Sequence, residues 1–157
     1  MDLVFTNECK RFNVRVAVLI KHNDEYLVIN DNHAKYDYLI GGRINLFETS
    51  IDAAKREVFE ELHEQIEIDD LKFTYESFFY EETLQLNYHE IGFVYLGRLN
   101  ENSHFLNEKE SVMDSNRFHW IKIHQPAQPQ FVFDYLREKG VPSTCVHLVS
   151  NEISKSS

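Results

Sequence analysis

Three glutamates, Glu57, Glu60 and Glu61, have the spacing that brings carboxylates together on a helix. They stand at positions i, i+3 and i+4, which share one side of a helix. Each like-charged pair at this spacing costs an isolated helix about 0.2–0.5 kcal/mol, and a hard divalent cation would remove the repulsion. Oxygen ligands suit Mg²⁺ or Mn²⁺ better than zinc. The triad alone fits two interpretations, a divalent-cation site or a solvated acidic face.

The helix that must carry these carboxylates is predicted from about Ser50 to Leu62. Apolar residues recur there at helical spacing and indicate one buried stripe: Ile51, Ala54, Val58 and Leu62. Thr49 or Ser50 is the expected N-cap, and Asp52 supports the helix start. The three glutamates would then lie about a third of a turn from the stripe, along the edge of a cleft.

The residues ahead of the triad form a more specific pattern. Gly42 and Glu48 precede the run Arg56-Glu57-Val58-Phe59-Glu60-Glu61. In residue types and spacing, this stretch resembles the Nudix box, which covers Gly42 to Glu64 here. The resemblance favours the cation site over the solvated face. It extends more loosely over about residues 10 to 150, where the order of predicted strands is similar to the family's α/β/α sandwich.

Three positions depart from the box. His63 stands where the family has glycine, Glu64 where it has an aliphatic residue, and Ile40 where proline often precedes the double glycine. The glycine would follow the helix, where left-handed backbone is common. Histidine adopts that conformation at some cost; alternatively, the helix runs one turn longer. These departures bear on loop geometry rather than on the metal ligands.

The resemblance also implies a chemistry. Family members hydrolyse nucleoside diphosphates linked to another group, by attack of water at phosphorus. By position, the implied ligands of Mg²⁺ (or Mn²⁺) are the three carboxylates and one backbone carbonyl: Glu57, Glu60, Glu61 and Gly41. Arg56 would orient a box glutamate, while Gly42 and Glu48 would hold the geometry of the loop and helix. Which acid activates the water stays open, as does the number of metal ions.

Charged residues outside the box are weaker candidates. Arg15 interrupts an apolar strand and Arg43 follows the glycine pair, so either could reach a substrate phosphate or simply face solvent. Glu108 and Glu110 lie in a polar segment, where one could be an additional ligand or base, with ordinary solvation as the alternative.

Aromatic residues give one more candidate group. The cluster Phe78-Phe79-Tyr80 fits either base stacking or a packed core. His89-Glu90 fits either a cleft lining or a structural histidine. The eight histidines show no zinc spacing.

The remaining pattern predicts strands at about residues 13–22, 26–29, 38–40, 66–81, 88–99, 117–123 and 145–149. Gly41-Gly42 is expected to stop the third of these. A second helix is predicted over Phe131 to Lys139, ending at Gly140. Residues 31–36 and 100–116 are predicted loops, and 151–157 a mobile tail. These elements predict one domain over residues 1–157, with a mixed sheet covered by helices in the α/β (α+β) class.

Bulk composition limits the partners. Among 157 residues, 26 Asp and Glu against 16 Lys and Arg give a net charge of −10, which argues against DNA binding. A phosphorylated small molecule remains compatible, because a bound metal inverts local charge. Cys9 and Cys145 lack metal-ligand spacing, and no run is long enough to span a bilayer. We therefore expect a cytoplasmic protein. The sequence is compatible with a homodimer.

The leading hypothesis is a Mg²⁺-dependent hydrolase of a phosphoanhydride bond in a nucleoside diphosphate derivative. A (d)NTP, ADP-ribose or another nucleotide sugar, a dinucleoside polyphosphate and a capped RNA all stay open as substrates. The alternative is a catalytically weak or silent nucleotide-binding regulatory domain, for which His63 and Glu64 are the best argument. A structural metal-stabilised domain would explain the glutamates but neither Gly42 nor Glu48.

Overall fold

The computed structural model describes residues 1–31 and 35–153. Their elements are β1 (Val4–Asn7), β2 (Lys10–His22), β3 (Glu25–Asp31), β4 (Tyr38–Arg43), α1 (Ser50–Leu62), β5 (Ile66–Glu81), β6 (Leu86–Leu99), β7 (Glu110–Met113), β8 (Asn116–Lys122), α2 (Gln130–Lys139) and β9 (Val146–Asn151). The predicted loop 31–36 and tail 151–157 fall partly outside the described residues. None of the helices in residues 1–31 and 35–153 is long and apolar enough to cross a membrane.

The strands form one mixed sheet in the order β7-β8-β3-β4-β2-β6-β5-β9, with β1 paired to β2. The β2–β6 and β5–β9 pairs are parallel. The other pairs are antiparallel. The expected mixed sheet is thus confirmed.

Apolar side chains alternate between the two faces of this sheet because successive strand residues point in opposite directions. In β2, Val16 and Val18 pack on one side with Val58 of α1. Leu19 packs on the other side with Phe133 of α2. The helices therefore cover opposite faces, which gives the expected α/β/α sandwich.

Helix α1 has the predicted bounds and cap. The Thr49 hydroxyl accepts a hydrogen bond from the backbone N–H of Asp52 at 3.2 Å. Ala53, Ala54, Val58 and Leu62 form its buried side. The helix ends at His63, whose φ of 57° is left-handed, so the first of the two expectations for this position is confirmed.

Some boundaries differ from the sequence prediction. The glycine pair does not stop β4, which runs on to Arg43 because Gly41 and Gly42 keep an extended backbone paired to β2. The segment 100–116 is not simply a loop, since it holds a 3₁₀ turn (His104–Leu106) and β7. The short exposed β1 was also missed, because its stability depends on pairing with β2 rather than on its own pattern.

Candidate functional site

The carboxylate of Glu57 lies directly against Gly42. A Cβ atom at position 42 would overlap all three atoms of that carboxyl group. Val16 of β2 is the strand partner of Gly42 and points toward α1. Glycine is therefore required at position 42 to let the acidic side of α1 approach the sheet.

Arg56 fixes the orientation of Glu57. Its Nη1 donates to Glu57 Oε1 at 2.9 Å, and its Nη2 donates to the backbone carbonyl of Arg43 at 3.0 Å. The guanidinium also binds Glu48 through two hydrogen bonds, from Nε at 2.7 Å and from Nη2 at 2.9 Å. Glu48 in turn accepts from the backbone N–H of Asn45 at 3.0 Å. Hydrogen bonds to this one arginine thus link the loop between β4 and α1, strand β4 and helix α1 itself.

This network is half-buried, which makes its charges interdependent. Hydrogen bonding to Arg56 lowers the pKa of Glu48, and the same contact raises the pKa of Arg56. Burial raises the pKa of Glu57, although Arg56 opposes that effect. Its side chain is only 13% exposed. Glu57 is therefore a desolvated carboxylate that one arginine only partly neutralises.

Glu60 and Glu61 complete the acidic side of the helix. Burial, and after it the nearby charges of Glu57 and Glu60, raise the pKa of Glu61, with smaller contributions from Asp114 and Asp31. Asn116 Nδ2 donates a hydrogen bond to Glu61 Oε2 at 3.2 Å. Glu60 is exposed and accepts from Arg56 at 3.4 Å.

The oxygen donor set suits a hard divalent cation. Residues 1–31 and 35–153 contain no three acidic, histidine or cysteine side chains already grouped as a metal site. Glu57 and Glu60 accept hydrogen bonds from Arg56, and Glu61 accepts one from Asn116.

Two of the three departures from the box, His63 and Glu64, contact the segment between β6 and β8. His63 Nε2 lies 2.6 Å from Asp114 Oδ2, and Glu64 Oε1 lies 2.9 Å from His104 Nδ1. His63 thus combines the left-handed backbone with a side-chain contact that glycine lacks. Its partner Asp114 is one of the acids that raise the pKa of Glu61.

The two arginine candidates lie opposite each other on β2 and β4. Arg15 is 38% exposed and its charge acts to lower the pKa of Glu57. Arg43 is half-buried and lies 3.9 Å from Asp2. Arg43 follows Gly42 in β4, and Arg15 precedes Val16, which is the strand partner of Gly42.

The later-loop acids that were weaker candidates, Glu108 and Glu110, have polar partners of their own. Glu108 accepts from Ser111, and Glu110 lies 3.8 Å from Arg117 in a separate polar pocket of about 410 Å³. Asp114 and Asp31 act on Glu61 instead. Sequence spacing gave no signal for them, because β7, β8 and β3 must pair before they approach α1.

The aromatic cluster lies away from the glutamates. Phe78 contacts His89, with ring centroids 4.5 Å apart, and both line a cavity of about 560 Å³ beside β1. Phe79 stacks on Tyr88 at 4.9 Å, while Tyr80 is exposed. The arrangement is sheet-surface packing, and it places none of these rings beside Glu57.

The family model described as NUDIX domain matches residues 11–138. A search by sequence finds no match among curated proteins.

Similar solved structures include three that carry Nudix or MutT names. A NUDIX hydrolase from Nitrosomonas europaea is 15% identical, with a TM-score of 0.60 over 88% of this chain and 77% of its own. A mutator MutT protein from Bacillus halodurans is 14% identical, with a TM-score of 0.58 over 88% and 89%. A MutT protein from Methanosarcina mazei is 17% identical, with a TM-score of 0.58 over 85% and 95%. At these identities the structures show a shared fold. Since the family model covers most of the chain, this protein belongs to the NUDIX family.

Proposed function

We propose that this protein is a Mg²⁺-dependent hydrolase of a phosphoanhydride bond in a nucleoside diphosphate derivative. The observation that carries the proposal is the carboxylate of Glu57, seated against Gly42 and held by Arg56, which Glu48 fixes in turn. A surface acidic helix has no need of such a buried support. The proposal treats residues 1–157 as one domain.

Three carboxylates would hold the cation: Glu57, Glu60 and Glu61. The backbone carbonyl of Gly41 is the proposed fourth protein ligand. The fit rests on chemistry seen in the chain: desolvation and mutual repulsion raise the pKa of both Glu57 and Glu61, and a divalent cation would offset both effects. When bound, Mg²⁺ neutralises diphosphate oxygens and lowers the pKa of water; Mn²⁺ would serve similarly.

The chain's own residues then supply orientation. Arg56 keeps Glu57 in place through a hydrogen bond at 2.9 Å while Glu48 occupies the rest of its guanidinium. Phosphoryl transfer needs positioning and charge stabilisation rather than a nucleophilic side chain. Proton removal from the attacking water falls to an acid near this cluster, and Glu57, Glu61 and Asp114 are the groups to test.

The proposed substrate is a small nucleotide such as a (d)NTP, ADP-ribose or another nucleotide sugar. Two of the similar structures carry the name MutT. A net charge of −10 disfavours DNA as a partner. We propose a cytoplasmic setting and consider a homodimer compatible with the fold.

The test is a panel of nucleoside diphosphate derivatives incubated with Mg²⁺ or Mn²⁺ in ¹⁸O-water, with products identified by mass. We expect one class to be cleaved with ¹⁸O in a phosphate product. Glu57→Gln and Glu61→Gln, checked for folding by circular dichroism, should lose most turnover. Metal-independent cleavage, or full activity in both variants, would contradict the mechanism. Tight binding without cleavage across the panel would favour the regulatory alternative.

A further inference from the structure

Two arginines face each other across neighbouring strands of an acidic protein. Arg15 of β2 pairs directly with Arg43 of β4, so their side chains leave the same face of the sheet. Like charges placed directly opposite in a sheet are destabilising. The adjacent pair is Val16 and Gly42, which puts the arginines next to the position where Glu57 meets the strand.

The arginine pair lies on the face opposite α1. Val16 packs toward α1, so its neighbour Arg15 points the other way. Ala17 and Leu19 continue that second face into the core beneath α2. The arginines therefore stand where the sheet extends past the α2 core, separated from the box glutamates by the strand layer itself.

Arg15 forms an ion pair with a mostly buried acid, Glu90. Its Nε lies 4.0 Å from Glu90 Oε1, and the Tyr75 hydroxyl donates to the other oxygen of Glu90 at 2.8 Å. Tyr75 is buried and lies across Gly92, where a Cβ would overlap its ring. Tyr75 thus fixes Glu90 by a hydrogen bond, whereas the 4.0 Å contact between Arg15 and Glu90 is an ion pair too long for a hydrogen bond.

Arg43 is poorly neutralised as well. Its Nη1 lies 3.9 Å from the half-exposed Asp2. Its Nε is buried, and within residues 1–31 and 35–153 it has no hydrogen-bond partner. A buried donor without a partner costs about 1–3 kcal/mol. An oxyanion that contacts both guanidinium groups would offset the repulsion between the two like charges.

We propose that Arg15 and Arg43 form an anion-binding site for a phosphate group, with Glu90 and Tyr75 as positioning residues for Arg15. Guanidinium groups present planar paired donors that match phosphate oxygens. The identification of that anion as a phosphate of the substrate rests on the proposed function. The existence of the anion site does not.

The test measures the binding of inorganic pyrophosphate to the full chain by isothermal titration calorimetry in the presence of EDTA. Without a cation the carboxylates of α1 repel an anion, so this condition isolates the arginine pair. We expect measurable binding by the wild type and at least tenfold weaker binding by both Arg15→Gln and Arg43→Gln. Arg98→Gln is the matched control, because Arg98 is exposed and already bound to Glu67 and Asp69. No binding by the wild type, or equal affinity in all variants, would overturn the proposal.

Folding and positioning need their own controls. Arg43 pairs with the half-exposed Asp2, so Arg43→Gln leaves no buried acid without its partner. This variant keeps the test valid if Arg15→Gln unfolds. Tyr75→Phe should weaken pyrophosphate binding several-fold in the wild type yet have no further effect in the Arg15→Gln background, because it acts through that arginine. Additive effects of the two changes would show that Tyr75 is only structural and would overturn its positioning role.

Kinetics then distinguish the source of the phosphate. If the site takes a substrate phosphate, both arginine variants should raise KM or lower kcat/KM at least tenfold, and inorganic phosphate should inhibit competitively. If it takes a separate inorganic anion, pyrophosphate affinity should still fall while KM stays unchanged. Either result supports the anion site. Loss of hydrolysis with unchanged metal-free pyrophosphate affinity would contradict it.

Discussion

The middle and the C-terminal end of α1 are held in different ways. At the middle of the helix, Arg56 joins Glu48, Glu57 and a backbone carbonyl through hydrogen bonds of 2.7–3.0 Å in a half-buried setting. Just past its end, His63 contacts Asp114 and Glu64 contacts His104, through exposed or partly buried side chains. Breaking a buried charge network costs several kcal/mol, whereas an exposed ion pair contributes about 0–1 kcal/mol.

The difference teaches where substitutions matter. The middle of the helix sets the position of Glu57, so it tolerates little change in residue type. The end of the helix needs a residue that accepts a left-handed backbone, and His63 meets that need and also contacts Asp114. This explains how the chain departs from the box at His63 and Glu64 while the glutamate arrangement is kept.

Gly42→Ala should cause the largest loss. The new Cβ would overlap the Glu57 carboxylate and push it out of place. A displacement of about 1 Å in a reacting group costs on the order of 100-fold in rate. Glu64→Gln, just past the C-terminal end of the helix, is the matched control and should change kcat/KM less than about threefold. Equal losses in both variants, measured by steady-state hydrolysis, would remove the distinction between the middle and the end of α1.

Arg56→Gln should destabilise the protein by about 2–3 kcal/mol, because it leaves Glu48 and Glu57 half-buried without their partner. Urea unfolding in EDTA measures this loss. Arg56→Lys keeps the charge but not the two-point contact with Glu48, so it should fall between the wild type and Arg56→Gln. A lysine variant as stable as the wild type would show that charge alone suffices.

Glu61→Gln should have the opposite effect to Arg56→Gln and increase the free energy of unfolding of the metal-free protein at pH 7. Burial and neighbouring acids raise the pKa of Glu61 above the usual 4.5. Such a group destabilises the fold at pH values above its raised pKa, and the penalty disappears as pH falls toward 4.5. We expect a Tm about 1–3 °C above the wild type, shrinking toward pH 4.5. Mg²⁺ should reverse the order, and a less stable variant in EDTA would contradict this account.

His63→Gly should have the smallest effect. Glycine relieves the left-handed backbone but loses the exposed contact to Asp114, so the free energy of unfolding should stay within about 0.5 kcal/mol of the wild type. His63→Ala loses the contact to Asp114 but keeps a side chain on the left-handed backbone, so the free energy of unfolding should fall by about 1 kcal/mol. Chemical denaturation of both variants checks this, and a glycine variant that loses activity would show that the end of α1 does more than cap.

Local patterns made much of this site predictable. The bounds of α1, its Thr49 cap and the shared side of Glu57, Glu60 and Glu61 depend on contacts within a few turns. The family resemblance predicted that Arg56 orients a box glutamate. What stayed hidden depends on tertiary pairing: Asp114 reaches Glu61 only because β7 and β8 form a hairpin beside α1, and the segment that contains it reads as a polar loop. Arg15 against Arg43 likewise requires the β2–β4 register.

The Mg²⁺ dependence of hydrolysis, measured side by side for the wild type and Glu57→Gln, tests the central claim most directly. After removal of metal with EDTA, wild-type turnover should vanish and return on titration with Mg²⁺. Glu57→Gln should remain folded and at least about 100-fold slower at every Mg²⁺ concentration. Turnover that persists in EDTA, or a Glu57→Gln titration that overlays the wild type, would contradict the assignment of these glutamates as the metal-binding groups.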